Sequence, residues 1–329
     1  MLQRAAVRAS RSLAAQRSVG AAQRATNALF STSSYQAATP DTLDPKLVKM
    51  EYAVRGLLVL RAEEHAKRLA AGEKMPFDDL VFCNIGNPQS VGQQPITFFR
   101  QVLSLCANPQ LLENEAVVSS LPADAVARAR ALLKGSVHGI GAYSHSKGVG
   151  LVRQDVADFI EERDGHAADP EHIFLTNGAS DGVKTIINML IRDANDGIMI
   201  PIPQYPLYSA TVTACGGTQI PYYLDEGLGW GAHLDTLDQV VADARAGGTN
   251  VRAMAVINPG NPTGQVMSQD NLSDIVHFCH RNSIVLMADE VYQANIYGDR
   301  PFYSLKKILR EVRAALVSML IVCVCPDQL

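Results

Sequence analysis

The residues best suited to chemistry in this chain stand where strand-like runs end. Asp289 closes the apolar run Ile284 to Ala288, and Tyr292 follows three positions later. Burying a carboxylate there is costly unless it faces a cation. A protonated ring nitrogen, an arginine or a metal would serve, and capping a helix is the plainer alternative. Gly178, Ala179 and Ser180 follow another short run, Ile173 to Thr176, and open a helix-like pattern. Such a junction turns free N–H groups and the positive end of a helix outward, which suits a phosphate, although an ordinary turn has the same composition. Tyr205, in Pro203-Gln-Tyr-Pro206, is placed either to stack on a planar ring or to pack in a tight turn. The most specific signal is Asn258-Pro-Gly-Asn-Pro-Thr-Gly264, which contains Asn261. Two Asn-Pro steps restrict the backbone more than a plain connection requires.

The elements that must position these residues alternate between helical and strand patterns from Ala142 onward. Val152, Val156, Phe159 and Ile160 mark one face of a helix ending near Gly165. Ile173 to Thr176 reads as a strand, and Ser180 as the cap of a helix bearing Val183, Ile186, Ile187 and Leu190. Ile198 to Ile202 is a buried strand, a short helix runs to Gly216-Gly217, and Thr218 to Tyr223 is strand again. Met254 to Ile257 leads into the proline-rich loop, Ser268 caps a helix through Leu272, Ile275, Val276 and Cys279, and Ile284 to Ala288 completes the pattern. Such alternation implies an α/β fold with a mostly parallel sheet covered by helices on both faces. Ligands of such sheets bind beyond the carboxyl ends of the strands, where all four polar groups fall.

Composition narrows the remaining possibilities. The chain has 329 residues, 47% of them hydrophobic, enough to bury a substantial core. A net charge of −4 gives no reason to expect a nucleic-acid partner. Residues 1–40 contain five arginines (Arg4, Arg8, Arg11, Arg17, Arg24) and no acid, the first being Asp41. This Arg-, Ala- and Ser-rich opening reads as a mitochondrial transit peptide, residues 1–36, for import to the matrix. The six cysteines lack C-x-x-C spacing and fit buried thiols in a reducing compartment better than disulfides or a metal site. The longest apolar run, Ala314 to Cys325, is too short to span a membrane. No G-x-G-x-x-G joins an early strand to a helix, which argues against a dehydrogenase.

Asn258-Pro-Gly-Asn-Pro-Thr-Gly264 followed by Ala288-Asp-Glu-Val-Tyr292 resembles the signature pair of the fold-type I, pyridoxal-phosphate-dependent aminotransferases. Glu51-Tyr-Ala-Val-Arg-Gly56, Asn84-Ile-Gly-Asn-Pro-Gln-Ser90, the continuation Gly92 to Phe98, and Tyr143-Ser-His-Ser-Lys-Gly148 are similar to the alanine aminotransferase branch. The resemblance covers about Asp44 to Arg313. It implies pyridoxal 5'-phosphate as cofactor, an amino acid and a 2-oxo acid as substrates, and a homodimer. The implied reaction transfers the amino group of L-alanine to 2-oxoglutarate, giving pyruvate and L-glutamate; glutamate–glyoxylate aminotransferases share these motifs. By resemblance, Asp289 pairs with the ring nitrogen, Asn261 and Tyr292 bond the ring's phenolic oxygen, and Tyr205 stacks on the ring. Ala179 and Ser180 hold the phosphate, Tyr143 reaches the phosphate of the partner subunit, and Gly86 lies in the loop over the substrate carboxylate.

The implied domains are an N-terminal arm with part of the small domain, residues 37–140, and a cofactor-binding large domain, residues 141–312. The family's Schiff-base lysine lies beyond the aspartate. The only lysines after Asp289 are Lys306 and Lys307, read as surface residues of a short helix. From Ala314 the sequence departs from the pattern, so residues 313–329 are expected to be a non-family apolar tail. The large domain would then be incomplete, without the catalytic lysine, and the chain an inactive fragment that binds cofactor weakly or only dimerises.

Overall fold

The computed structural model describes residues 41–312, except 53, 55 and 137, and the backbone of the strand 320–323. The expected transit peptide lies outside the described residues. Two compact units divide the chain at Val48 and Lys49. The described part of the first carries the start of helix α1 (Pro45–Lys49), whose residues are all exposed.

The second unit begins with helices α2 (Leu57–Ala70), α3 (Thr97–Ala107), α4 (Glu115–Ser119) and α5 (Ala123–Gly135). Val102, Leu105 and Cys106 of α3 pack on Ala125, Val126 and Ala129 of α5, the small residues letting the two helices approach closely. An Arg128–Asp155 ion pair links α5 to α6 (Gly150–Asp164). Val156 and Ile160 of α6 are buried as their spacing requires, and the helix stops at Gly165.

After α7 (Ala179–Leu190) the chain alternates regularly: β1 (Asp196–Ile202), α8 (Leu207–Cys215), β2 (Thr218–Tyr223), α9 (Leu234–Ala246), β3 (Asn250–Ile257), α10 (Gln269–Arg281), β4 (Val285–Asp289), α11 (Leu305–Glu311) and β5 (Leu320–Cys323). The strands form one parallel sheet in the order β2-β1-β3-β4-β5. Its two faces follow from the period of two along each strand. Met254, Val256, Leu286 and Ala288 meet α9, α10 and α11 on one face. Ala253, Ala255, Ile257, Val285 and Met287 meet α7 and α8 on the other. The Ser268 hydroxyl accepts from Asn271 N–H and caps α10 as expected.

Three expectations need correction. Ile173 to Thr176 is extended but forms no strand; apart from bonds to its immediate neighbours, its described backbone bond is Leu175 N–H to Lys147 O, and one such bond makes no ladder. Ser180 does not cap α7. The cap position belongs to Gly178, at φ +79°, which only glycine adopts easily, so Ser180 sits inside the first turn. Lys306 and Lys307 lie on α11 but are half-buried rather than surface residues, and burial lowers the Lys306 ammonium from its ordinary value. The four described cysteines also vary: Cys106 and Cys279 are buried, Cys215 is half-buried and Cys83 is exposed. Of the segment expected to be a non-family tail, Leu320–Cys323 pairs along β4 and forms the edge of the sheet.

Candidate active site

The polar residues gather along the carboxyl edge of the sheet, as the order of strands and helices demands. Parallel pairing sets Ile202 beside Tyr223 and Ile257 beside Asp289, so the ends of β1, β2, β3 and β4 share one rim. Asp289 continues the odd-numbered face of β4 and therefore points toward α8. There the Tyr208 hydroxyl donates to Asp289 Oδ2 at 2.8 Å, and Val291 N–H donates to Oδ1 at 3.3 Å. Asp289 is 9% exposed, and burial holds its carboxyl above the ordinary aspartate range against those two donors. No described ion pair involves Asp289, so a buried carboxylate stands at the strand tip with neutral donors.

The loop after β3 is tied to the same rim. Asn258 N–H donates to Asp289 O at 2.9 Å, and Asn258 Oδ1 accepts from Met267 N–H at 2.9 Å. The Nδ2 of Asn258 is buried with no hydrogen-bond partner among the described residues. Asn261 is half-buried in the loop and lines a narrow crevice together with Pro203, Tyr222, Leu224 and Met267. Tyr292 follows Asp289 in a turn and is 39% exposed.

Tyr205 stands half-buried between β1 and α8, where the Tyr52 hydroxyl donates to its hydroxyl at 2.7 Å and the two rings meet edge to face. Asn84 Nδ2 donates to Val54 O at 3.0 Å, so two N-terminal motifs touch each other and one of them touches the rim. The start of α7 presents half-buried Ala179 and exposed Ser180 behind a glycine cap with no side-chain acceptor. The first N–H groups of such a helix have no partner within it. The buried residues of α7, Val183 and Ile187, share a cluster with Tyr208 and Met287 and fix this helix to the Asp289 side of the sheet. Tyr143 and Gly86 lie on exposed loops.

Sequence reasoning missed Tyr208, Tyr52 and Asn258. Tyr208 lies in the first turn of α8, three residues after Tyr205. Its partner across 81 residues had no local signal.

A family model described as aminotransferase class I and II matches residues 100–324, most of the chain and part of the segment after Ala314. The chain belongs to this family. It is 51% identical over 278 residues to alanine aminotransferase 1, mitochondrial, of Arabidopsis thaliana, covering 83% of this chain and 51% of that protein. It is 53% identical over 273 residues to glutamate–glyoxylate aminotransferase 1 of Arabidopsis thaliana, covering 83% and 55%. Among solved structures it is similar to an aminotransferase from Escherichia coli, with a TM-score of 0.60, 25% identity and coverage of 83% and 56%. The chain spans about half the length of the curated relatives it matches. The fold is that of the fold-type I aminotransferases, and the cofactor of the family is pyridoxal phosphate.

The residues present fit that cofactor. Asp289 is a buried carboxylate above its ordinary range, held by a hydroxyl and a peptide N–H, and a cationic ring nitrogen is the partner such a group lacks. On the same side of the sheet, α7 begins without a side-chain cap and leaves N–H groups for a phosphate.

Proposed function

We propose that this chain carries the cofactor-holding part of an alanine aminotransferase, which transfers the amino group of L-alanine to 2-oxoglutarate and yields pyruvate and L-glutamate. The observation that carries the reading is Asp289, a buried carboxylate at the tip of β4 with Tyr208 as its hydroxyl partner. When bound, pyridoxal phosphate supplies an electron sink for the substrate's α-carbon. Asp289 would keep the ring nitrogen protonated, and Tyr208 would hold the carboxylate in one orientation. Tyr205 would cover one ring face, its own tilt limited by Tyr52. Asn261 and Tyr292 would donate to the ring's phenolic oxygen. The N–H groups of Ala179 and Ser180, with the Ser180 hydroxyl, would hold the phosphate.

Tyr143, fully exposed, would reach the phosphate of a partner subunit, which makes the working unit a homodimer; a monomer by sedimentation with cofactor bound would remove this part. Gly86 would sit in the loop that closes over the substrate carboxylate. The Arg-rich opening supports a mitochondrial protein, as the name of the Arabidopsis alanine aminotransferase does for that relative. A fluorescent protein fused behind residues 1–40 and left in the cytosol would contradict it.

Equilibrium dialysis against pyridoxal phosphate tests the pocket. Asp289→Ala is expected to weaken binding at least about tenfold, the cost of losing one charged hydrogen-bonded partner. Unchanged binding would end the reading. Pyruvate formed from L-alanine with 2-oxoglutarate as acceptor supports the activity. The relative that acts on glyoxylate, at 53% identity, favours a second reading, a glutamate–glyoxylate aminotransferase, and turnover with glyoxylate alone would select it. Cofactor bound with no turnover on either acceptor would leave the pocket and remove the activity from this chain.

A further inference from the structure

Outside the pocket, the largest group of buried charges in the described chain lies behind the Asp289 turn. Because side chains alternate along a strand, the residue after Asp289 must leave on the other side of the sheet. Glu290 does so, and it is 0% exposed. Its Oε1 accepts from Leu305 N–H, the first residue of α11, at 2.7 Å. Its Oε2 lies 3.3 Å from the guanidinium of Arg163, the penultimate residue of α6. The same guanidinium grips Asp164 with two bonds of 2.7 and 2.8 Å and donates to Gln293 Oε1 at 2.7 Å. The Ser304 hydroxyl donates to Asp164 and caps α11 at Lys307 N–H. The rings of Phe159 and Phe302 flank the guanidinium, and half-buried Lys306 is the other cation near the two acids.

These bonds have one effect in common. Gln293 N–H donates to Glu290 O at 3.0 Å, so residues 290–293 form a single turn, and Arg163 binds side chains at both of its ends. That turn carries Tyr292 and follows Asp289 directly. Surface ion pairs contribute little to stability, and a buried pair is often no better than an apolar substitute. What a buried, fully bonded network does supply is one fixed arrangement of the backbone it holds. Burial, with the nearby Asp164 carboxylate, pushes the Glu290 carboxyl up to about 7 against Arg163 and the Leu305 N–H.

We propose that Glu290 and Arg163 are positioning residues of the active site, locking the turn that aims Asp289 and Tyr292 from the far face of the sheet. The assignment rests on the cofactor-pocket reading above. The test is a double-mutant cycle on the 329-residue chain, with pyridoxal phosphate as the probe, equilibrium dialysis as the readout and far-ultraviolet circular dichroism to verify folding. Glu290→Leu is expected to weaken binding about tenfold, within the range measured for coupled neighbours. Glu290→Gln keeps an acceptor for Leu305 N–H and should stay within about threefold of the parent. In the Asp289→Ala chain, Glu290→Leu should cost less than about twofold, because the group it positions is gone. A general loss of structure would weaken both chains by the same factor, so equal factors overturn the assignment and leave the pocket intact, as does Glu290→Leu with no effect. If Asp289→Ala itself changes nothing, the pocket and the assignment fall together. Should Glu290→Leu not fold, Arg163→Lys, which keeps the charge but loses the fork, takes its place in the cycle with the same outcomes.

Discussion

Removing the Tyr208 hydroxyl is the most direct way to probe the buried carboxylate. Tyr208 is 1% exposed and Asp289 is 9% exposed, so the 2.8 Å bond between them is shielded from water. A hydrogen bond to a charged group is worth about 1.5–3 kcal/mol and one to a neutral group about 0.5–1.5 kcal/mol. Tyr208→Phe leaves Asp289 with the longer Val291 N–H bond, so its carboxyl should rise further. The sign follows from where the protons bind. The folded-state pKa already lies above the ordinary aspartate value of 3.8, so ionising Asp289 costs the folded state more than the unfolded one. That cost is absent below the unfolded pKa, grows as pH rises toward the folded pKa and is complete above it. Tyr208→Phe enlarges it. Urea denaturation followed by circular dichroism should show the variant about 2 kcal/mol less stable at pH 7, and less destabilised near pH 4, as the carboxyl gains its proton. In a chain that already carries Asp289→Asn, the same substitution should lose its pH dependence. A penalty equal at both pH values would refute the argument that the hydroxyl serves a charged carboxylate. So would a penalty that keeps its full size and pH dependence after the acid has been replaced by the amide.

Two further outcomes follow from the fold. Arg192 holds fully buried Asp196 at the start of β1 with two side-chain bonds and, with them as the main cause, keeps that carboxyl well below its ordinary value. Arg192→Ala should lower stability modestly at pH 7 in chemical denaturation, because the arginine is itself mostly exposed. A depressed carboxyl contributes stability above its unfolded pKa and loses it as pH falls, so the difference from the parent should shrink below about pH 4. Gly148 has φ +102°, and a Cβ there would lie 2.5 Å from Leu175 Cδ1, in the segment that leads to the glycine opening α7. Gly148→Ala should lower stability by about 2 kcal/mol or more through strain and overpacking, visible as a drop in Tm.

The sequence by itself determined the class of fold. Ser268, the apolar run before Asp289 and the strand Thr218–Tyr223 were legible because capping, burial on both faces and turn residues are local signals. The two Asn-Pro steps and the aspartate after a buried strand pointed to the candidate site, since restricted loops and buried carboxylates at strand ends are local signals too. Local signals failed where a partner was distant. The run Ile173 to Thr176 has the composition of a strand, but among the described residues a single distant backbone group, Lys147 O, bonds to it, and Lys306 looked exposed until burial placed it near Asp164 and Glu290. Tertiary structure alone decided which neighbours complete Asp289. The parity of β4 sends its side chain toward Tyr208 of α8 and sends Glu290 the other way, to Arg163 of α6. Residues separated by 81 and 127 positions meet because parallel strands need helical crossovers, and those crossovers bring distant sequence to one edge of the sheet.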